Sequence, residues 1–216
     1  DAMIKVSDLI TAFQSYLAAG DGYIPNTSGE TWTAEKQAKA TGETVQKYGS
    51  QWIGHRVEDC SGAFVRAYKA HGLTIYHGSN RIAREYVVEL LPVSAAAPGM
   101  AAFKLRKTGE KYYDLPSEYK QGGKHYNGDL NDYYHIGLVD DNPAYVINAQ
   151  STQTGVVRSK LTNGLLIATG YNNLVGIGNI NGDSVSLGHD YLMGKAEIED
   201  KVLTLLLRTI ADTLNF

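Results

Sequence analysis

The apolar residues of this chain change their spacing once, near Pro98 and Gly99, and that change sets the order in which its secondary structure is laid down. Before it, apolar positions recur every three or four residues. Ile4, Val6, Leu9, Ile10, Phe13 and Leu17 form one such set, Ala63, Phe64, Ala67, Tyr68 and Ala70 a second, and Ile82, Ala83, Tyr86, Val87 and Leu90 a third. This is the period of a helical face, and it predicts helices over 4–18, 61–71 and 79–91. Ser7 and Asp8 are available as caps for the first, Gly72 stands where a helix ends on glycine, and Pro92 is a stop for the third. Beyond Gly99 the apolar runs are short and bounded by turn residues, at 100–105, 133–139, 145–149, 155–159 and 174–179, which predicts strands. Helices followed by strands specify an α+β domain in which N-terminal helices pack on a central antiparallel sheet.

Two polar stretches interrupt that pattern. Residues 20–29, GDGYIPNTSG, are turn chemistry, and 31–48 then reads as a polar surface helix, so 30–58 is expected to be an insertion. Residues 107–132, rich in glycine, lysine and tyrosine, are expected to form a long surface loop, of the kind that usually serves function. The main domain is read as 1–188. In 189–216, Val202, Leu203, Leu206, Leu207, Ile210 and Leu214 keep helical spacing, so a helical C-terminal extension is expected, closing the domain or leading to a second module.

Composition removes several classes of function. The 216 residues suffice for one substantial core, and a net charge of −3 is no footing for a broad grip on nucleic acid. No run is long and apolar enough to span a bilayer, and residues 1–9 lack the basic, apolar, small-residue order of a secretory signal. Fifteen tyrosines against four phenylalanines make a polar aromatic inventory, suited to sugar or peptide recognition and equally to a tyrosine-rich surface. A single cysteine permits no internal disulfide and, alone, no structural zinc, so Cys60 is either buried filler or a reactive thiol.

Cys60 follows Asp59 at the start of the second helix. The dipole and free amides of that end are expected to lower the thiol pKa, while the alternative is that Asp59 merely caps and the thiol packs inward. A nucleophilic thiol needs a base. His135, inside YYHIGLV, is the histidine a strand would hold rigidly, whereas His55, His71, His77, His125 and His189 stand beside a charge, near helix or chain ends, in turns or in the polar loop. A strand histidine can also be purely structural. The base in turn needs a polar group to fix its tautomer, and Asn148 in the following strand is suited to that, with Gln150 as competitor.

The segments DCSGAFVRAYKAHGL, YYHIGLV and YVINAQSTQTGVV, in that order, resemble the NlpC family of cell-wall cysteine peptidases, over about residues 7–179. The resemblance implies a papain-like NlpC-type fold with Cys60 as nucleophile, His135 as base and Asn148 as third member. It implies substrate-binding roles for Tyr23, in a Gly-Tyr loop that here continues Pro25-Asn26 instead of Trp-Gly, with Tyr48 as rival. Asp59 and Ser61 would line the site, with helix capping as the alternative. Ser79, in HGSN, would flank the groove or cap the next helix. The implied reaction is hydrolysis of peptidoglycan stem peptides at the γ-D-glutamyl to diamino-acid bond, by a monomer without metal or organic cofactor. The implied place of action is the bacterial wall, reached by export or phage delivery. The alternatives are another cysteine amidase or acyltransferase on the same scaffold, and an inactive wall-binding or phage structural module.

Overall fold

The computed structural model of the chain describes residues 4–87, 90–161 and 174–176. The first helix, α1 (Val6–Ala19), buries Leu9, Ile10, Phe13 and Tyr16 and ends on Gly20, whose φ of 67° turns the chain back. Two short strands follow, β1 (Ser28–Thr31) and β2 (Arg56–Glu58), paired antiparallel to each other. Between them lie α2 (Ala34–Ala38), α3 (Glu43–Tyr48) and a 3-10 turn, Gly49–Trp52. The single polar helix expected over 31–48 is therefore broken at Gly42, the N-cap of α3. Trp32, Val45 and Val57 of this insertion are buried together with Ile24 of the preceding loop, in a small core apart from the main one. It is fastened to the rest by Trp52, whose indole N–H donates to the Thr152 carbonyl at 2.6 Å. The Trp52 ring covers Gly22 and Gly155, where any Cβ would overlap it.

Helix α4 (Cys60–Lys69) buries Cys60, Ser61, Ala63, Phe64, Ala67 and Tyr68. The next helix, α5 (Ser79–Glu85), is shorter than its apolar spacing predicts, for Leu90–Pro92 pair as strand β3. Strands β4 (Ala101–Arg106), β5 (Asp132–Val139), β6 (Tyr145–Ser151), β7 (Gly155–Lys160) and β8 (Leu174–Gly176) complete a six-stranded sheet of order β3-β8-β4-β5-β6-β7. Every pairing within it is antiparallel. The α+β expectation holds, with α1, α4 and α5 packing Phe13, Phe64 and Ile82 against Phe103, Ile136, Leu138 and Ile147 of the sheet. A second, smaller core of Met100, Ala102, Val139, Val146 and Leu161 covers other strand positions, so β4–β6 are apolar on both faces. The extension expected over 189–216, and His189 with it, lie outside the described residues.

The stretch 107–132 is less of a free surface loop than its composition suggests. Leu115 and Tyr119 are buried. The Arg84 guanidinium donates to the Asp129 and Asn131 carbonyls at 3.0 and 2.8 Å and holds this segment against α5. No helix among the described residues is long and apolar enough to cross a membrane.

Candidate active site

Two departures from strand regularity shape the region around His135. Lys104 pairs with His135 and Arg106 with Asp132, so one residue of β4 faces two of β5, a bulge with its extra residue in Tyr133–Tyr134. Its effect is visible in burial. Tyr133 and Ile136 both join the core under the helices although they are three apart, which strict alternation forbids. The second bulge falls in β6, where Ala149 pairs with Val156 and Ser151 with Gly155, leaving Gln150 as the extra residue. Asn148 precedes it, in regular pairing with Val157.

Leu138 pairs with Ile147 and Val139 with Val146. Continuing that register sets Asn148 opposite Gly137, which has no side chain, and leaves the diagonal toward His135 open. His135 Nε2 and Asn148 Oδ1 lie 2.9 Å apart, with both residues buried. An amide oxygen can only accept, so the pair requires the proton on Nε2 and leaves Nδ1 as the basic nitrogen of a neutral ring.

Cys60 is the first residue of α4, and Asp59 is its cap. The Asp59 Oδ1 accepts from the Gly62 N–H at 2.7 Å and from the Ser61 hydroxyl at 3.2 Å, while Oδ2 accepts from the Asn26 N–H at 2.7 Å. Such a cap contributes about 1 kcal/mol. Here it also draws the 20–29 loop against the helix start, where the Asp59 N–H donates to the Thr27 carbonyl at 3.0 Å. The approach explains the glycine of the DCSG motif, since a Cβ on Gly62 would collide with that carbonyl. Tyr23, on the same loop, lies within electrostatic reach of Cys60 and Asp59, and burial drives its phenol pKa well above the ordinary value. Tyr48 sits on α3, with the Lys47 ammonium 5.0 Å from its ring.

No protein-family model matches this sequence, and no curated protein does. Solved structures similar to it include NlpC and NlpC/p60 proteins. NlpC1 from Trichomonas vaginalis is 13% identical at a TM-score of 0.42, over 77% of this chain and 41% of that one. The NlpC/p60 domain of the peptidoglycan hydrolase SagA is 13% identical at 0.43, over 79% and 97%. The peptidoglycan hydrolase RipB from Mycobacterium tuberculosis is 16% identical at 0.42, over 82% and 65%. The chain thus spans less than half of the Trichomonas protein and slightly under two thirds of RipB.

The electrostatics of the site correct one expectation from the sequence. Burial, and then the Asp59 charge, push the Cys60 thiol up to about 12; hydrogen bonding from the backbone at Ile136, Ser61 and Cys60 pulls the other way but is outweighed. The helix start therefore does not leave a resting thiolate. Burial likewise pushes His135 down to about 4, against the opposing pull of its bond to Asn148; the Lys104 charge adds to the depression and Asp59 opposes it. Thiol and imidazole both rest neutral. The Ile136 backbone acting on the sulfur belongs to the residue after His135, which brings the α4 start and β5 together at that point.

Two further assignments change. Ser79 is the first residue of α5 and Gly78, at φ 132°, is its N-cap, so Ser79 does not cap the helix. His77, placed by sequence in an unremarkable turn, sets Nε2 2.7 Å from Asp59 Oδ1. That bond to Asp59 raises the His77 pKa against the opposing effect of burial, and the charges of Asp59 and Glu30 raise it further. The only sequence signal for it was membership of the HGSN segment. The contact joins residues 18 apart, beyond any local spacing rule.

Proposed function

We propose that this protein is a cysteine peptidase that hydrolyses the peptide stems of bacterial peptidoglycan as a monomer, at the γ-D-glutamyl to diamino-acid bond. The observation that carries the reading is the 2.9 Å bond between His135 Nε2 and Asn148 Oδ1 on strands packed against the helix that begins at Cys60. The three motif segments support it by their resemblance to NlpC peptidases.

Because thiol and imidazole rest neutral, the nucleophile is generated during attack. His135 takes the Cys60 proton as sulfur bonds to the scissile carbonyl carbon, and the carbonyl oxygen becomes an oxyanion facing the amides at the start of α4. The imidazolium then gives its proton to the leaving amine as the C–N bond breaks, forming a thioester. Water, deprotonated by His135, releases the acid and restores the thiol. Asn148 holds the ring in one tautomer throughout, and the cycle balances without metal or cofactor. Tyr23, Asp59, Ser61 and Ser79 border the stem, with Asp59 and Ser61 also keeping the helix start in place.

Digestion of purified muropeptides followed by mass spectrometry tests this reading. The expected products carry a new amine on the diamino acid and a free γ-carboxyl on D-glutamate. Muropeptides that remain intact, or that are cut at another bond, contradict it.

A further inference from the structure

Lys104 pairs directly with His135 across β4 and β5, so the two side chains lie on one face of the sheet. The lysine is partly buried, and burial, aided by the neighbouring Arg106, lowers its pKa. Partial burial of an ammonium is unfavourable unless an anion accompanies it. None does among the described residues.

Arg106, two residues on along β4, shares that face. Its guanidinium stacks 3.7 Å from the Tyr134 ring centroid and donates to the Tyr112 carbonyl at 2.9 Å, and the Lys104 ammonium lies 5.8 Å from the same Tyr134 ring. Two carboxylates act on Tyr134 electrostatically, and both are already engaged. Asp132 accepts from Asn80 at 2.8 Å, and Glu110 accepts from the Lys107 N–H at 2.7 Å. Two cations thus extend along β4 from the point opposite His135, held by an aromatic ring and lacking an ion-pair partner among the described residues.

We propose that Lys104 and Arg106 form a binding subsite for a carboxylate of the substrate. The inference rests on the stem-peptide reading above. A γ-linked glutamyl residue leaves its α-carboxyl group outside the chain, so an unamidated stem carries an α-carboxylate beside the scissile bond, and the far end of the stem carries a second carboxylate. Either is the anion this pair requires, through charge-assisted hydrogen bonds.

The test separates binding from turnover. Cys60→Ala serves as the binding host, titrated calorimetrically with a synthetic L-Ala-γ-D-Glu-L-Lys peptide, a form amidated at the glutamyl α-carboxylate, and a form amidated at the C-terminus. The same titrations are made after adding Lys104→Met, Arg106→Gln or Lys104→Arg. Lys104→Met and Arg106→Gln are each expected to raise Kd for the acid peptide about tenfold or more. They leave Kd unchanged for whichever amidated form lacks the recognised carboxylate, and Lys104→Arg restores much of the affinity. Equal weakening of all three peptides, no weakening, or no binding of any peptide by the host overturns the subsite. Binding with acid discrimination but without cleavage by the parent protein sinks the peptidase reading and leaves the subsite standing. Cleavage without acid discrimination does the reverse.

Discussion

Two imidazoles flank the start of α4, and their surroundings drive them in opposite directions. His135, on the buried strand wall, has an amide partner and is pushed down to about 4, chiefly by burial. His77, on the half-open rim, has a carboxylate partner 2.7 Å away and is raised. The Asp59 charge raises both, yet it does not prevail at His135. An amide orients a ring without charging it, whereas a carboxylate holds the ring charged. The wall is therefore built to supply a neutral base at neutral pH, and the rim to keep Asp59 paired and the helix start pinned.

The contrast can be broken most severely at the wall. His135→Ala is expected to lower turnover of a stem peptide by about 1,000-fold or more, as loss of a general base from a nucleophile pair does, with the circular dichroism spectrum unchanged. A loss below tenfold would place the base elsewhere.

The next effect is on stability. A histidine whose pKa is depressed in the folded state contributes stability that is present above its unfolded value near 6.5 and is lost as pH falls toward about 4. Over that window His135 should account for about 3 kcal/mol, so His135→Asn should flatten the acid limb of a plot of unfolding free energy against pH. A limb equally steep in the variant removes the claim that the ring is buried neutral.

A smaller loss is expected at the orienting amide. Asn148→Ala should cost about 10- to 100-fold in kcat, less than loss of the base, and Gln150→Ala no more than a few-fold. The reverse ranking, measured on the same peptide, would transfer the orienting role to the bulge residue.

The smallest effect lies on the rim and has the opposite pH sign. The raised pKa of His77 means that its stabilisation is present below pH 6.5 and disappears as pH rises through its folded value. Because the ring is 34% exposed, His77→Gln should cost about 1 kcal/mol or less at pH 5.5, and nothing at pH 9. Thermal melts at the two pH values check this, and a cost that grows with pH refutes it.

The elements built on long, regular apolar spacing were legible from the sequence. These are α1 and α4, while the four strands β4 to β7 were legible from short apolar runs bounded by turn residues, and the position of Cys60 at a helix start from the spacing that follows it. What escaped has a physical reason in each case. Val87 and Leu90 continue the helical period of α5, but Leu90 pairs with Gly176, a partner 86 positions along the chain that no local pattern announces. The insertion core joins Ile24, Trp32, Val45 and Val57, too widely scattered to show any period. The bulges at Tyr133–Tyr134 and at Gln150 carry no residue signature, being set by how neighbouring strands pair. The depression of His135 and the elevation of Cys60 arise from burial by the whole fold, whereas a helix end taken by itself carries only the dipole.

The proposed thiol mechanism depends most directly on the sulfur of Cys60. Purified wild-type protein and Cys60→Ala, matched by circular dichroism, are to be incubated in parallel with a γ-D-glutamyl stem peptide, and the released diamino-acid amine followed by mass spectrometry. Release by the wild type and none by Cys60→Ala is the predicted result. Release that continues in Cys60→Ala would contradict a thiol mechanism outright.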